Sequence, residues 1–346
     1  MQEEIEKRPL FKVRTCATSA NMGPGYDIAA LALDIFNECE VFESGSSTHS
    51  IAYTGPYAGD IESQESLVIS ALDGALKKFK DRIKPAAIER KQGNTQDVEN
   101  DTDKKQEPAL PSQKEEDAGK GLPQSLDIKM SVNIPPGKGL GSSASAVISG
   151  LLIANKAYNM GLNKRELFQA AAEFESSPDN AAAALSGSMA IVYRSGEEYL
   201  FEKIELSKDY RILLFIPFGT ASTGEARKLL PKKIPLEDAA GNIANFSLLL
   251  KYLEEGDLKG AAAFSRDYMY LKYRKAMYPA SLGLIEELLE TYKVPAFISG
   301  AGPAVAAILD EEMFSRFKDI RGRITAEYLS FQSMVTGISE SGSYYL

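Results

Sequence analysis

The run Pro135-Pro136-Gly137-Lys138-Gly139-Leu140-Gly141-Ser142-Ser143-Ala144-Ser145-Ala146 leads straight into the apolar stretch Val147–Ile153. Glycines at alternate positions let the backbone curl with its N–H groups inward, and the stretch that follows reads as a buried helix. Such a turn gathers unpaired amides, the positive end of a helix dipole and short hydroxyl donors at one point. The occupant that suits this cradle is a triphosphate. The plainer reading is a strand-to-helix turn with no ligand, one serine serving as an N-cap; the density of donors favours the cradle. The spacing is not that of a dinucleotide-binding fingerprint, nor of a P-loop, which needs Lys-Ser or Lys-Thr after its last glycine. A Ser-His-Asp triad would have to use His49, the one histidine among 346 residues.

The length suits two medium domains or one large one, and 44% apolar residues suffice for a substantial core. A net charge of −9 argues against nucleic acid as a partner. Residues 1–8 lack the apolar region of a signal peptide, and no run approaches the ~18 apolar residues of a membrane span, so a cytoplasmic protein without a membrane partner is expected. Cys16 and Cys39 do not make a disulfide framework. From Lys91 to Gly121 there is one Val, one Leu and no aromatic residue. This composition predicts a disordered insertion, either a solvated loop or a regulatory, partner-binding segment.

Period-2 patterning predicts a strand over Leu126–Ile134, and further strands are expected at Met189–Tyr193, Arg211–Pro217, Ala296–Ser299 and Ala304–Leu309. Glu166–Glu175 reads as a helix. Residues 237–255 and 257–275 read as two amphipathic helices broken at Gly256. A mixed α+β architecture in two lobes follows.

Three glycine-bearing segments occur in order: Thr18-Ser19-Ala20-Asn21-Met22-Gly23-Pro24-Gly25-Tyr26-Asp27, the loop at 135–146, and Ser299-Gly300-Ala301-Gly302-Pro303-Ala304. Together they resemble the three motifs of the GHMP kinases, named for galactokinase, homoserine kinase, mevalonate kinase and phosphomevalonate kinase. Ser177-Pro178-Asp179-Asn180, Thr223–Arg227 and Asp267–Pro279 resemble segments of the homoserine kinase branch. The resemblance implies a two-lobed fold. An ATP-binding lobe over residues 10–200, ribosomal-protein-S5-like with a left-handed βαβ unit, would carry the insertion, and a ferredoxin-like lobe would span 205–340. It also implies ATP and Mg²⁺ as cofactors, L-homoserine as acceptor on the threonine pathway, and a homodimer.

Phosphoryl transfer needs positioning, charge neutralisation and a hard cation. By the resemblance, Pro135 to Ser145 bind the nucleotide, with Ser142, Ser143 and Ser145 as donors and Lys138 a point charge or a plain surface lysine. One histidine and two cysteines do not furnish a zinc or copper site, so the metal is Mg²⁺ on oxygen ligands. Its candidates are Ser143 and, on the 166–175 helix, Glu175 or Glu173. Arginine grips a carboxylate bidentately, which makes Arg227 and Arg274 the clamps for an amino-acid acceptor. Asp27 would hold the ammonium and Asn21 the hydroxyl or a nearby group. Asn180 would orient the reacting hydroxyl or a phosphate oxygen, and Asp179 is a base or a turn residue. Gly300, Gly302 and Pro303 bring backbone close to the ligand.

The sequence departs from that branch at three places. Ser176-Ser177 stands where it has Gly-His, Ser66 where a nucleotide-contacting asparagine is common, and Lys138 where arginine is usual. Another small hydroxylated acceptor, or a nucleotide-binding regulator without turnover, are the alternative functions.

Overall fold

The computed structural model describes residues 8–61, 66–84, 122–206, 209–218, 223–316 and 331–346. The predicted insertion 91–121 lies outside them. The chain runs β1 (Phe11–Ala20), β2 (Ala29–Glu43), β3 (Ser50–Thr54), α1 (Leu67–Lys78), β4 (Leu126–Ser131), α2 (Ser142–Ala157), α3 (Lys164–Ala172) and α4 (Asp179–Ser186). It continues through β5 (Met189–Ser195), β6 (Glu198–Ile204), β7 (Arg211–Pro217), α5 (Thr223–Lys228), α6 (Leu236–Glu255), α7 (Leu258–Ala263) and α8 (Leu271–Arg274). It ends with α9 (Pro279–Glu290), β8 (Ala296–Ile298), β9 (Val305–Leu309), β10 (Phe331–Gly337) and β11 (Tyr344–Tyr345).

The described strands form two sheets. One has seven strands, ordered β11-β1-β2-β4-β3 with β5 also on β2 and β6 on β5; the β3–β4 pair is parallel. The other has four antiparallel strands ordered β10-β7-β9-β8. Numbered along the chain from β7, that order is 4-1-3-2, the ferredoxin-like arrangement the resemblance implies. The last residues return to the first sheet, where Val13 faces Tyr345 and Leu33 bridges Ile338.

Strand alternation divides the core. On β2, Ala30 and Ala32 point into a cluster with α1–α4, including Leu72, Val147, Leu151 and Phe168. Leu31 and Leu33 point the other way, to meet Ile212, Leu214, Ile216, Leu249, Leu253 and Phe297 of the second lobe. On β7 the odd residues Leu213 and Phe215 turn instead to α9, with Leu284, Ile285 and Leu288. The lobes thus share a continuous apolar layer, which fixes their relative placement more firmly than a polar inter-domain contact would.

Three boundaries differ from expectation by three residues or more. The 126–134 strand stops at Ser131, because the N–H groups of Asn133 and Ile134 donate to Asn37 Oδ1 at 2.8 and 3.1 Å. The helix expected through Glu175 ends at Ala172, and Glu173 takes the C-cap. The helix expected over 257–275 opens at the expected place, with Asp257 accepting from Gly260 N–H, but breaks after Ala263. Asp267 then accepts from the N–H groups of Met269, Tyr270 and Leu271 at 3.1, 2.8 and 2.7 Å, which starts the separate turn α8.

Candidate active site

The three glycine-bearing segments interlock. Thr18 N–H donates to Leu140 O, Gly300 N–H to Ala20 O, and Ala304 N–H to Lys138 O, at 2.9–3.2 Å. Ser299 Oγ donates to Gly139 O at 2.7 Å. Glycine is required at the crossing points. Gly139 and Gly141 have φ of +81° and +70°, and a Cβ on them would lie 2.1 Å from Ser299 O and 1.9 Å from Thr18 Oγ1. Gly141 also occupies the N-cap of α2, so no side chain accepts from the first turn of that helix. The cap reading for a loop serine therefore fails, and the amides stay directed at whatever enters.

They face a cavity of about 300 Å³, at the lower end of small-ligand pockets. Its wall includes Gly137, Gly139, Leu140, Gly141, Ser142, Ser143 and Ala144 on the loop side, and Asn21, Asp27, Glu175, Asp179, Asn180, Arg227, Arg274 and Gly302 around it. Residues drawn from nearly the whole length of the chain, Ala20 and Gly302 at the extremes, thus meet at one opening between the lobes.

Some members of the loop look elsewhere. Lys138 Nζ donates to Pro217 O and Phe218 O, both at 2.8 Å, and lies outside the cavity wall; burial lowers its pKa. It ties the loop to the end of β7 rather than offering its charge to the cavity. Ser145 is fully buried, with its Oγ 2.8 Å from Thr15 Oγ1 and accepting from Asn37 Nδ2 at 3.2 Å. That hydroxyl serves the core, not a ligand. Pro135 and Pro136 also lie outside the wall and only lead into it. Among the three serines, Ser142 and Ser143 are the ones at the opening.

The acidic side is built from the turn between α3 and α4. Burial pushes the Glu175 carboxyl up to about 8, with the nearby Asp179 adding to the effect. Burial, and secondarily the charge of Asp27, pushes Asp179 up to about 7. Glu173, the other metal candidate, is exposed and bonds Lys78 Nζ at 2.5 Å, away from the cavity. Among the described residues no group of three or more His, Cys, Asp or Glu forms a ready metal cage. A Mg²⁺ ion held by one carboxylate, one hydroxyl and substrate phosphates needs none, and Glu175 and Ser143 fit that donor set. Asn180 Oδ1 accepts from Thr18 Oγ1 at 2.7 Å, and Asp179 Oδ1 accepts from Asn180 N–H at 2.8 Å.

Opposite lie the cations. Arg227, on α5, donates to both oxygens of Asp27. Arg274 is 2% exposed, bonds Gly300 O at 3.3 Å, and has a buried Nε without an acceptor. Its guanidinium lies 4.8 Å from the Tyr270 ring centroid and 6.0 Å from that of Tyr26. No carboxylate of the described residues pairs with it within 4.0 Å. Asn21 holds a left-handed conformation and bridges the first and third segments, donating to Gly300 O at 2.6 Å and accepting from Asp27 N–H at 3.1 Å. Ser177 Oγ donates to Asp27 O, so the serine standing in the Gly-His position braces the same residue. Ser66 caps α1 and is not at the cavity. His49 accepts from Leu126 N–H and is remote from the cavity wall, which removes the triad reading.

Residues 112–188 match the family model described as GHMP kinases N terminal domain, and residues 249–318 the one described as GHMP kinases C terminal. A homoserine kinase of Thermotoga petrophila is 31% identical over 325 residues, covering 92% of this chain and all of the relative. One from Clostridium botulinum is 28% identical, covering 90% of each. Among solved structures, homoserine kinase from Cytophaga hutchinsonii superposes with a TM-score of 0.75 at 19% identity over the whole of both chains. Mevalonate kinase of L. major, in complex with R-mevalonate, gives 0.67 at 15% identity over 97% of this chain and 99% of that one. Interlocked motifs, lobe topology and full-length likeness agree: this chain belongs to the GHMP kinase family.

Proposed function

We propose that this protein transfers the γ-phosphoryl group of ATP to the side-chain hydroxyl of L-homoserine, giving O-phospho-L-homoserine and ADP. The observation that carries this reading is Arg274, a guanidinium 2% exposed at the cavity wall with an unsatisfied Nε, whose charge Asp267 senses but which no carboxylate of the described residues meets within 4.0 Å. Unpaired buried charge is costly, so the site is built to receive an anion there. A carboxylate on Arg274, shared with Arg227, leaves Asp27 to face the ammonium. That charge pattern matches a free amino acid and not a neutral alcohol.

The amides at the start of α2 and the hydroxyls of Ser142 and Ser143 bind the phosphates. Glu175 and Ser143 hold Mg²⁺, which when bound neutralises phosphate charge. Asp179, its pKa raised to about 7, takes the proton from the acceptor hydroxyl. Asn180, fixed by Thr18, orients that hydroxyl. Relatives named homoserine kinase, matched over 90–92% of this chain, support the acceptor. The test is ADP release with Mg²⁺-ATP against a panel of L-homoserine, L-serine, L-threonine, mevalonate and pantothenate. Homoserine should exceed every other acceptor, and greater activity on mevalonate or pantothenate, or activity on none of the panel, overturns the assignment.

A further inference from the structure

The shape of the phosphate loop depends on a residue of β2, far upstream, that contains none of the motif's chemistry. Strand β4 leaves its ladder with β2 after Ser131, which pairs with Glu38. The next residue of β2 is Asn37, 1% exposed. Its Oδ1 accepts from the N–H groups of Asn133 and Ile134 at 2.8 and 3.1 Å, the last two residues before Pro135. Its Nδ2 donates to Ser145 Oγ at 3.2 Å, on the first turn of α2 and just past the loop. One buried amide therefore grips both the entry and the exit of residues 135–144.

The grip is anchored below. Thr15 Oγ1 lies 2.8 Å from Ser145 Oγ and 2.9 Å from Ser149 Oγ, and Ser149 Oγ donates to Ser145 O. Asn133 Nδ2 donates to Phe36 O at 2.9 Å, holding the entry a second time. All of these groups sit behind the loop, on the side away from the cavity, and Asn37 is not part of the cavity wall. Glycines at 137, 139 and 141, each with positive φ, give the loop freedom that among its side chains Lys138 limits, through the carbonyls of Pro217 and Phe218. The first and third segments hold the middle of the loop, and the contacts from behind hold its two ends.

We propose that Asn37 is a positioning residue for the nucleotide: it sets the separation and direction of the two ends of the phosphate loop and thereby the affinity for the triphosphate. This rests on the reading of that loop as the nucleotide cradle. It assigns no contact between Asn37 and ligand, and predicts an effect on one substrate only, since the acceptor side is built from Asp27, Arg227 and Arg274.

The test is calorimetric binding of a non-hydrolysable ATP analogue with Mg²⁺ to the wild-type protein and to Asn37→Leu, which keeps size and loses all three hydrogen bonds. The analogue's Kd should rise tenfold or more, while the KM for homoserine in residual turnover moves less than twofold. Asn37→Asp, which keeps the accepting oxygen, should fall between the two proteins. A folded Asn37→Leu that binds the analogue as the wild type does, or loses nucleotide and homoserine affinity equally, overturns the proposal. If Asn37→Leu does not fold, Ser145→Ala removes the exit half of the grip together with the Thr15 contact beneath it; it should raise the Kd severalfold, and an unchanged Kd is equally decisive against it. Failure of the wild-type protein to bind the analogue would strike the cradle reading itself, a different result from either.

Discussion

Arg227 meets Asp27 with both arms of its guanidinium fork, at 3.1 and 2.8 Å, although the two residues stand 200 positions apart. The pair spans the lobes at the mouth of the cavity and is about a third exposed on each side. Solvent screening makes it a minor source of stability. Its consequence is for binding, because an amino acid entering the cavity brings a carboxylate for Arg227 and an ammonium for Asp27. Asp27→Asn should lower kcat/KM for homoserine about 10- to 100-fold, the worth of one charged hydrogen-bonded contact. Nucleotide affinity should be left within about twofold. Steady-state kinetics with each substrate varied in turn checks the split.

Arg274 is the more demanding case, since its charge is buried. Arg274→Ala should reduce kcat/KM for homoserine by roughly 30- to 5000-fold, corresponding to about 2–5 kcal/mol for truncating one partner of a buried charge pair. The alcohol analogue of homoserine that lacks the carboxylate should be a poor substrate for both proteins and show little difference between them. Equal losses on both acceptors would mean that Arg274 props the wall rather than binding a carboxylate.

Two acids raised to about 7 and about 8 give the metal-free protein a definite pH signature. Their folded-state values lie above the ordinary carboxylate range, so the folded chain holds more protons than the unfolded chain between about pH 4 and 8. Stability from this source is full below that window and is lost as pH rises through it. Thermal melts of the metal-free protein should therefore fall across the window, and Glu175→Gln should flatten the slope. The same variant should need at least about tenfold more Mg²⁺ for half-maximal turnover, as expected for loss of a metal ligand.

Asp179→Asn keeps the shape and removes the base. The expected loss in kcat is about 10²- to 10⁴-fold, with nucleotide and homoserine binding little changed. The wild-type kcat should rise with pH to a plateau above the carboxyl's own titration, and this rise should be absent from the variant. A variant retaining wild-type kcat would leave substrate positioning alone to account for the rate.

Gly141→Ala tests the interlock. With φ at +70° and a new Cβ 1.9 Å from Thr18 Oγ1, the loop must move away from the first segment. Strain of about 1–3 kcal/mol should appear as a fall of several degrees in Tm together with loss of nucleotide binding. Gly161, in a left-handed turn where an added Cβ would meet nothing within 4 Å, is the control. Gly161→Ala carries the backbone cost without the clash and should bind nucleotide normally.

The loop and its neighbours are legible in the sequence because their signal is local: alternating glycines dictate backbone, and an apolar run dictates the helix that follows. The strands expected at Arg211–Pro217 and Met189–Tyr193 are legible for the same reason, as short apolar runs with β-branched residues, the second continuing to Ser195. Side-chain direction is not. Lys138 and Ser145 sit inside the motif, but one turns to the carbonyls of Pro217 and Phe218 and the other into the core, choices set by strands far away in sequence. Asn37 and Thr15 carry no local signal, since one polar residue among the several in each of these strands reads as a strand position and nothing more. The break before α8 does carry one: Asp267 is a capping residue type placed three positions ahead of Tyr270. Arg227 and Arg274 are reached only through the family resemblance, because nothing in the intervening sequence tells which arginines face one cavity.

The most direct test of the central claim is ³¹P NMR of the wild-type protein with Mg²⁺-ATP and L-homoserine. The account predicts that the γ-phosphate resonance is replaced, one for one with ADP, by a phosphomonoester bonded to the homoserine side-chain oxygen. Production of inorganic phosphate alone, or an ATP spectrum unchanged by homoserine, would contradict it.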